Sequence, residues 1–440
     1  MGHVTTSNAG YVMGIDLIGI GAGPANLSLA ALLTTARERG LSSLSSVFLE
    51  RDPAIFWHSQ QMFPGTLMQT EFYRDLVTPI DPTSRFSFLN YLKSNARLDQ
   101  FFCSSSIYPT RQEFEDYFNW VAAQIADIVF AVNVNSVDYD PETNLFIVQA
   151  EPPRNTYASK HIVLGHGAQP KSSVEPEPKS RVVDVSTLLS FNFPDPLQRV
   201  LVVGGGQSAA ECVNYLLDEY ANAGTQITWV TSETAFRALD ISNFSREVFS
   251  ASYAHAFAAL PTVLREKIIH EDKSIANGIS PVVAQALYQR LYGLKYLTPF
   301  GMGKPSVHVQ ANTEVLEIVE DAKGVSVTVR ALPAGQTSVD AYDCVILCTG
   351  LDDETVLDSS IIGPQLKRRI SKNEAPDGYA IAWDGPNDRM IFIQSQNKKS
   401  HGLGDASFVT APGRNASILN SITGKEVYRI DHSDRLVALR

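Results

Sequence analysis

The feature that most constrains this chain occurs twice: an apolar run that closes on a glycine cluster and opens into a helix. In the first copy, residues 14–20 (GIDLIGI) read as a short buried strand ending at glycine. Gly19-Ile20-Gly21-Ala22-Gly23 is the turn. After Pro24, Leu29, Leu32, Leu33 and Ala36 recur at helical spacing, with Gly40 as the stop. Residues 46–50 (SVFLE) form the next strand, giving a β-α-β unit with an expected right-handed crossover. In the second copy, residues 199–204 (RVLVVG) lead through Gly204-Gly205-Gly206 into a helix with Ala209, Cys212, Val213, Leu216 and Leu217 on one face, then residues 225–230 (TQITWV). A third apolar strand, residues 343–347, runs into Cys348-Thr349-Gly350. The pattern predicts an α/β chain with two Rossmann-like dinucleotide-binding domains.

A dinucleotide pyrophosphate needs a tight turn, close backbone approach and a helix N-terminus aimed at it. Gly21 and Gly23 supply the first two, and Asn26 stands where GxGxxG has its third glycine. Glu50, at the following strand end, can accept hydrogen bonds from a ribose diol. No acid closes the strand after the second turn. Thr231, Ser232 and Arg237 follow instead. Hydroxyls and a cation there accommodate a 2′-phosphate, which favours NADPH over NADH. Two such units allow one to hold FAD and the other the nicotinamide that reduces it, the cofactors carrying the hydride chemistry. Ser208 lies in GQSAA and not GxSxG, which excludes a nucleophile-elbow hydrolase.

Composition narrows the class further. Charged residues are 19% and hydrophobic residues 44%, as in an ordinary globular chain, and the net charge is −11. No dense Lys/Arg run occurs, so neither nucleic acid nor an anionic membrane is an expected partner. The four cysteines form no CxxC pair and no Cys/His set has zinc-ligand spacing, so no metal is assigned and a reduced, cytoplasmic setting is expected. Residues 1–11 do not read as a signal peptide. Residues 17–36 carry no charge and are long enough to cross a bilayer, but Gly19, Gly21, Gly23, Pro24 and Asn26 break the run into strand, turn and helix. Three Asn-X-Ser matches, at Asn26, Asn243 and Asn415, carry no meaning without secretion.

The expected organisation is an FAD domain from residues 1–180 plus 340–440, an NADPH domain from residues 181–235 plus 298–340, and a helical substrate-region insertion over residues 236–297. Pro/Glu-rich stretches lie at residues 151–154 and 170–179, and the second reads as a surface connection between domains. His161 and His166 read as structural.

Between and beyond the glycine turns lie FLERDPAIFWHS, the block from Met68-Gln69 to Pro79, PTSRFSFLNYL (82–92), GGGQSAAE, CTG at 348–350 and HGLGD at 401–405. Together these resemble the flavin-dependent N-hydroxylating monooxygenases of siderophore biosynthesis, which act on ornithine, lysine or diamines. The resemblance spans nearly the whole chain. It implies NADPH- and O2-dependent hydroxylation of a terminal primary amine through a C4a-hydroperoxyflavin, shielded by retained NADP+, and an oligomer, tetramer or dimer. By position it implies FAD contacts from Gly19, Gly21, Gly23, Pro24, Asn26, Leu27, Glu50, Arg51, Trp57, His58, Met68, Gln69, Asp405, Ala406 and Ser407. NADP contacts would come from Gly204, Gly206, Gln207, Ser208, Ser232, Arg237, Thr349 and Gly350. No protein residue is assigned as catalytic, since the flavin carries the chemistry. Core packing is the competing reading for Trp57 and His58.

The substrate end departs from the ornithine enzymes. Their carboxylate-binding Lys, just before Asp-Leu, is Arg74 here, preceded by Glu71-Phe72-Tyr73. A family Asn in an Asn-Tyr pair aligns with Asn277, here followed by Gly278, and Asn243 is displaced from the position of another substrate Asn. Gln69, Glu71, Arg74, Asn243 and Asn277 are therefore the candidate substrate contacts. Arg74 binding a carboxylate bidentately would mean lysine or ornithine. Glu71 pairing with Arg74, or meeting a second ammonium, would mean cadaverine or putrescine, the reading favoured here. A disulfide reductase is disfavoured by the missing CxxxxC beside the flavin. A Baeyer–Villiger or flavin-containing monooxygenase is disfavoured by the absent FxGxxxHxxx(W/Y/F) stretch. A flavin-binding scaffold without catalysis is the third alternative.

Overall fold

The computed structural model describes all residues except 1–4, 7–10, 59–60, 105, 153, 168–170, 172–179, 221–223, 298–305, 352–356, 358, 372–378, 433–435, 438 and 440. The connection expected at 170–179 lies, apart from Lys171, outside the described residues, as do Pro153 and Ser59.

The first glycine turn joins strand Tyr11–Ile20 to helix Pro24–Glu38, and Ser46–Leu49 follows. These strands belong to a parallel sheet in the spatial order Ile128–Val129, Ser46–Leu49, Tyr11–Ile20, Asn155–Leu164, Met390–Ile393. The crossover from Tyr11–Ile20 to its parallel neighbour is the helix, so residues 17–36 are strand, turn and helix as expected. Among the described residues no helix is long and apolar enough to cross a membrane. The first half of Asn155–Leu164 pairs antiparallel with Leu145–Glu151, which pairs in turn with Asn133–Asp140. Helix Pro24–Glu38 buries Leu27, Leu29, Leu32, Leu33 and Ala36 between Arg111–Ala122 and Ala411–Thr423, in the largest apolar core.

The second sheet is wholly parallel, in the order Ser306–Gln310, Gln226–Val230, Arg199–Val203, Cys344–Leu347, Val182–Asp184. Helix Gln207–Tyr220 covers one face with Pro281–Tyr296. A three-stranded antiparallel sheet, Thr313–Glu320, Val325–Ala331 and Thr337–Tyr342, packs on Leu201, Val230 and Val345 of the other face. One boundary differs from the sequence-based division. Cys344–Leu347 falls in the segment given to the FAD domain, but it pairs in parallel with Arg199–Val203 in the second sheet. All four of its residues are buried, and an apolar run of that kind suits the middle of either sheet. Strand Met390–Ile393 and helix Ala411–Thr423 do join the first sheet and its core. The stretch from residue 236 is helical as expected, with Ala251–Ala258, Thr262–Glu271 and Pro281–Tyr296.

Candidate active site

Both glycine turns sit at the carboxyl ends of parallel strands, where open α/β sheets bind ligands. In the first, the glycines do different jobs. Gly21 has φ +80, and a Cβ there would lie 2.7 Å from the Gly165 carbonyl oxygen. A Cβ on Gly19 would meet the Phe48 ring at 2.2 Å, so that glycine serves packing between strands. A Cβ on Gly23 meets nothing within 4 Å. It would occupy the open space before the helix N-terminus, where a pyrophosphate needs close backbone approach. Glu50 faces this loop, its Oε2 accepting from Ala22 N at 2.7 Å and its Oε1 from Asp52 N at 3.1 Å.

Two residues expected to touch FAD have side chains directed into the protein. Asn26 is buried, and its Nδ2 donates to the Ile20 and Gly21 carbonyls at 3.1 and 2.8 Å. A side chain at residue 165 would lie 2.4 Å from that amide. The departure from GxGxxG is therefore matched by a glycine just past the end of the neighbouring strand. Asn26 Oδ1 is buried without a hydrogen-bond partner. Leu27 points into the core, fully buried, and its N–H is spent on Gly23 O.

The second turn repeats the design. Gly204 has φ +141 and a Cβ there would meet Cys348 O at 2.2 Å, whereas Gly206 faces open space. Exposed Thr349 and Gly350 stand at the end of the adjacent strand. Thr231, read as a hydroxyl for a 2′-phosphate, is buried with its Oγ1 2.6 Å from where a Gly205 Cβ would lie. Exposed Ser232 and Arg237 remain, Arg237 with a nitrogen 3.3 Å from Thr234 Oγ1. The side chains of Gln207 and Ser208 are engaged by protein. Gln207 donates to Glu211 Oε1 at 2.6 Å and accepts from Ser280 N at 2.8 Å, and Ser208 Oγ donates to Gln61 Oε1 at 3.2 Å.

The block after Glu50 reaches the second unit, where Gln61 accepts from Ser208 Oγ and Phe63 stacks on Tyr215. Trp57 packs edge-on against Phe118 and Phe408, with centroids at 5.4 and 5.7 Å, and its backbone N–H donates to Glu115 Oε2 at 2.6 Å. Its ring is thus part of the core. His58, at φ +56, keeps an accessible face within a crowded recess. That crowding and the Arg111 guanidinium push its imidazole down to about 4. Met68 is buried, while Arg51 and Gln69 are exposed.

In the C-terminal loop, Ala406 is exposed, Ser407 caps the turn Phe408–Thr410, and Asp405 turns inward. The Asp405 carboxylate accepts from Arg414 at 2.6 Å and from Asn397 N at 2.7 Å, and neither charged side chain reaches solvent. Asp405 thus anchors the loop and its carboxylate is not presented to a ligand. The chain of bonds continues from Arg414 to Gln394 (2.6 Å), from Gln394 to Asn415 (2.8 Å), and from Asn415 to Ala25 O (2.8 Å) in the first turn of helix Pro24–Glu38. The HGLGD loop is so tied to the first glycine turn. Arg414, Gln394 and Asn415 escaped sequence reasoning. Arg414 as the sole charged residue of the stretch 411–423 was the available signal.

At the substrate end, Glu71 is buried and forms ion pairs with Arg74, at 3.5 Å, and with Arg246. Arg246 was not singled out from sequence. It lies in the segment Ser245–Phe249, where the family's substrate Asn was sought. Asn243 and Asn277 are exposed on neighbouring segments joined by the bonds Asp240 N to Ser274 O (2.9 Å) and Leu239 N to Ile279 O (2.8 Å). Gly278 follows Asn277 because a Cβ there would meet Leu239 N at 2.6 Å. Among the described residues no group of three or more His, Cys, Asp or Glu could hold a metal.

Residues 14–353 match the family model described as L-lysine 6-monooxygenase/L-ornithine 5-monooxygenase. The chain belongs to this family. An L-lysine N6-monooxygenase from Escherichia coli is 28% identical over 97% of this chain and 98% of its own. A putrescine N-hydroxylase from Shewanella oneidensis is 30% identical over 94% and 82%. Among solved structures, an FAD-bound cadaverine monooxygenase from Erwinia amylovora superposes with a TM-score of 0.86 at 26% identity, covering 97% of this chain and 99% of that one. An ornithine N-hydroxylase from Kutzneria sp. 744, with reduced FAD, NADP+ and L-ornithine, gives 0.85 at 26% identity, over 94% and 99%. The two-unit fold of the lysine/ornithine monooxygenase family thus extends over both glycine turns and the cleft between them.

Proposed function

We propose that this chain is an FAD- and NADPH-dependent N-monooxygenase that hydroxylates one terminal amine of a small aliphatic diamine such as cadaverine or putrescine, supplying a hydroxylamine for hydroxamate siderophore assembly. FAD fits the first turn through the open face of Gly23 and the inward-facing Glu50, and NADPH fits the second through Gly206, Ser232 and Arg237. When bound, the pair supplies reduction of O2 to the level that transfers one oxygen to nitrogen. The protein has to hold the two rings together, keep water out of the cleft and deliver the amine uncharged. A free alkylammonium has a pKa of about 10.4, and burial favours its neutral form.

The observation that carries the diamine reading is the Glu71 ion pairing. Arg74 stands where the ornithine enzymes place a free lysine for the substrate carboxylate, and here it is committed to an internal acid. A guanidinium held in that way is a poorer receptor for a second carboxylate, which a diamine does not require. A second reading, L-lysine or L-ornithine, draws support from Arg246. Two guanidinia on one carboxylate leave a surplus positive charge that an α-carboxylate could meet. The test is product analysis with cadaverine, putrescine, lysine and ornithine, comparing hydroxylamine formed with peroxide released. Tight coupling with a diamine alone supports the first reading. Tight coupling confined to the amino acids replaces it with the second.

A further inference from the structure

Glu211 ends the GGGQSAAE motif, yet no role attaches to it from sequence. In the fold its carboxylate meets Arg111, 100 positions earlier, at 2.8 Å. Arg111 opens helix Arg111–Ala122 in the first unit, and its backbone N–H is fixed to Thr66 O at 3.0 Å. Both side chains are largely withdrawn from solvent, at 11% and 4% exposure. Around them helix Gln207–Tyr220 makes further links to the block after Glu50 and to the insertion. Phe63 stacks on Tyr215 with centroids 4.9 Å apart, Ser208 reaches Gln61, and Gln207 ties Glu211 to Ser280 of the helical insertion.

We propose that Arg111 and Glu211 are a positioning pair that sets the orientation of the nicotinamide-binding helix against the flavin-binding unit. The stacked ring and the neutral Ser208–Gln61 hydrogen bond hold the two segments in contact with less directional restraint than a charged pair. A desolvated guanidinium–carboxylate pair is directional, and withdrawing one partner strands a buried charge. Burial raises the Glu211 carboxyl, and its Oε2 has no hydrogen-bond partner, so the arrangement depends on Arg111 staying in place. Hydride transfer is steep in distance and angle, and a misplacement of about 1 Å can cost about 100-fold. This inference rests on NADPH binding at the Gly204–Gly206 turn.

The test uses FAD-loaded protein: wild type, Arg111→Met, Glu211→Gln and the charge swap Arg111→Glu with Glu211→Arg. Anaerobic flavin reduction at saturating NADPH is followed by stopped flow, and amide hydrogen exchange is followed without NADPH. Each single variant is expected to reduce about 10- to 100-fold more slowly, with NADP+ affinity little changed. Amides of residues 207–220 exchange faster and those of residues 24–38 do not. The charge swap recovers part of the rate, so the losses are not multiplicative. Should Arg111→Met fail to fold, Arg111→Lys replaces it, since it keeps the charge and loses the fork. Native reduction rates in the single variants, or losses that simply multiply, overturn the proposal. Absence of reduction in the wild type would instead overturn the NADPH assignment itself.

Discussion

Gly19 and Gly23 sit on one turn and should answer substitution in opposite ways. Gly19→Ala drives a methyl into the Phe48 ring and should cost about 1–3 kcal/mol of stability, read from the denaturant midpoint. Gly23→Ala enters open space, so the midpoint without cofactor should hold, while flavin content after purification falls. A drop in midpoint for Gly23→Ala with normal flavin would contradict that division. His161 supplies the pH prediction. It is buried in strand Asn155–Leu164, its Nδ1 accepts from Met390 N at 3.2 Å, and burial together with Arg389 lowers it to about 4. A histidine of depressed pKa binds fewer protons in the native state than in the unfolded chain between about pH 4 and 6.5. Its contribution is complete above that window and declines by up to about 3 kcal/mol as pH falls through it. His161→Asn, which keeps an acceptor, should flatten the loss of stability between pH 6.5 and 4.5 in urea titrations.

At the scale of elements, the polar chain from Asp405 through Arg414, Gln394 and Asn415 to Ala25 O couples the C-terminal loop to the first glycine turn. Arg414→Met leaves the Asp405 carboxylate buried and unpaired, and should cost about 3–5 kcal/mol. Adding Asp405→Asn should restore part of that loss, and strict additivity of the two would show that the pair is not coupled. The glycine turns, their strands and their helices were legible because periodicity and turn chemistry are local. The network was not, since its members come from three separate segments and only the folded chain brings them to hydrogen-bonding distance. The same holds for Asn26, which reads as a flaw in a motif until Gly165, just past the end of the adjacent strand, is seen to make room for it.

For the whole molecule, the proposed substrate preference rests on the charge balance between Glu71 and Arg74 of the first unit and Arg246 of the insertion. Glu71→Gln would leave Arg74 and Arg246 without their shared acid. The kcat/KM ratio of lysine or ornithine to cadaverine or putrescine should then rise by about tenfold or more. An unchanged ratio would mean that these arginines do not face the substrate. Such a change belongs to this scale because Glu71 comes from the block between the units and Arg246 from the insertion.

The sequence by itself determined the two-unit α/β plan, the placement of both nucleotide turns and the family, because alternating strand, glycine turn and amphipathic helix leave little freedom in how the chain can bury its apolar faces. Only the tertiary structure decided which side chains are left to meet a ligand. Thr231 and Asp405 carry polar groups in the right motifs, but burial or pairing withdraws their side chains, and Arg246 and Glu211 find ion-pair partners far away in the chain. Hydrogen bonding and desolvation depend on neighbours in space, and sequence order fixes those neighbours only within a turn or a strand pair.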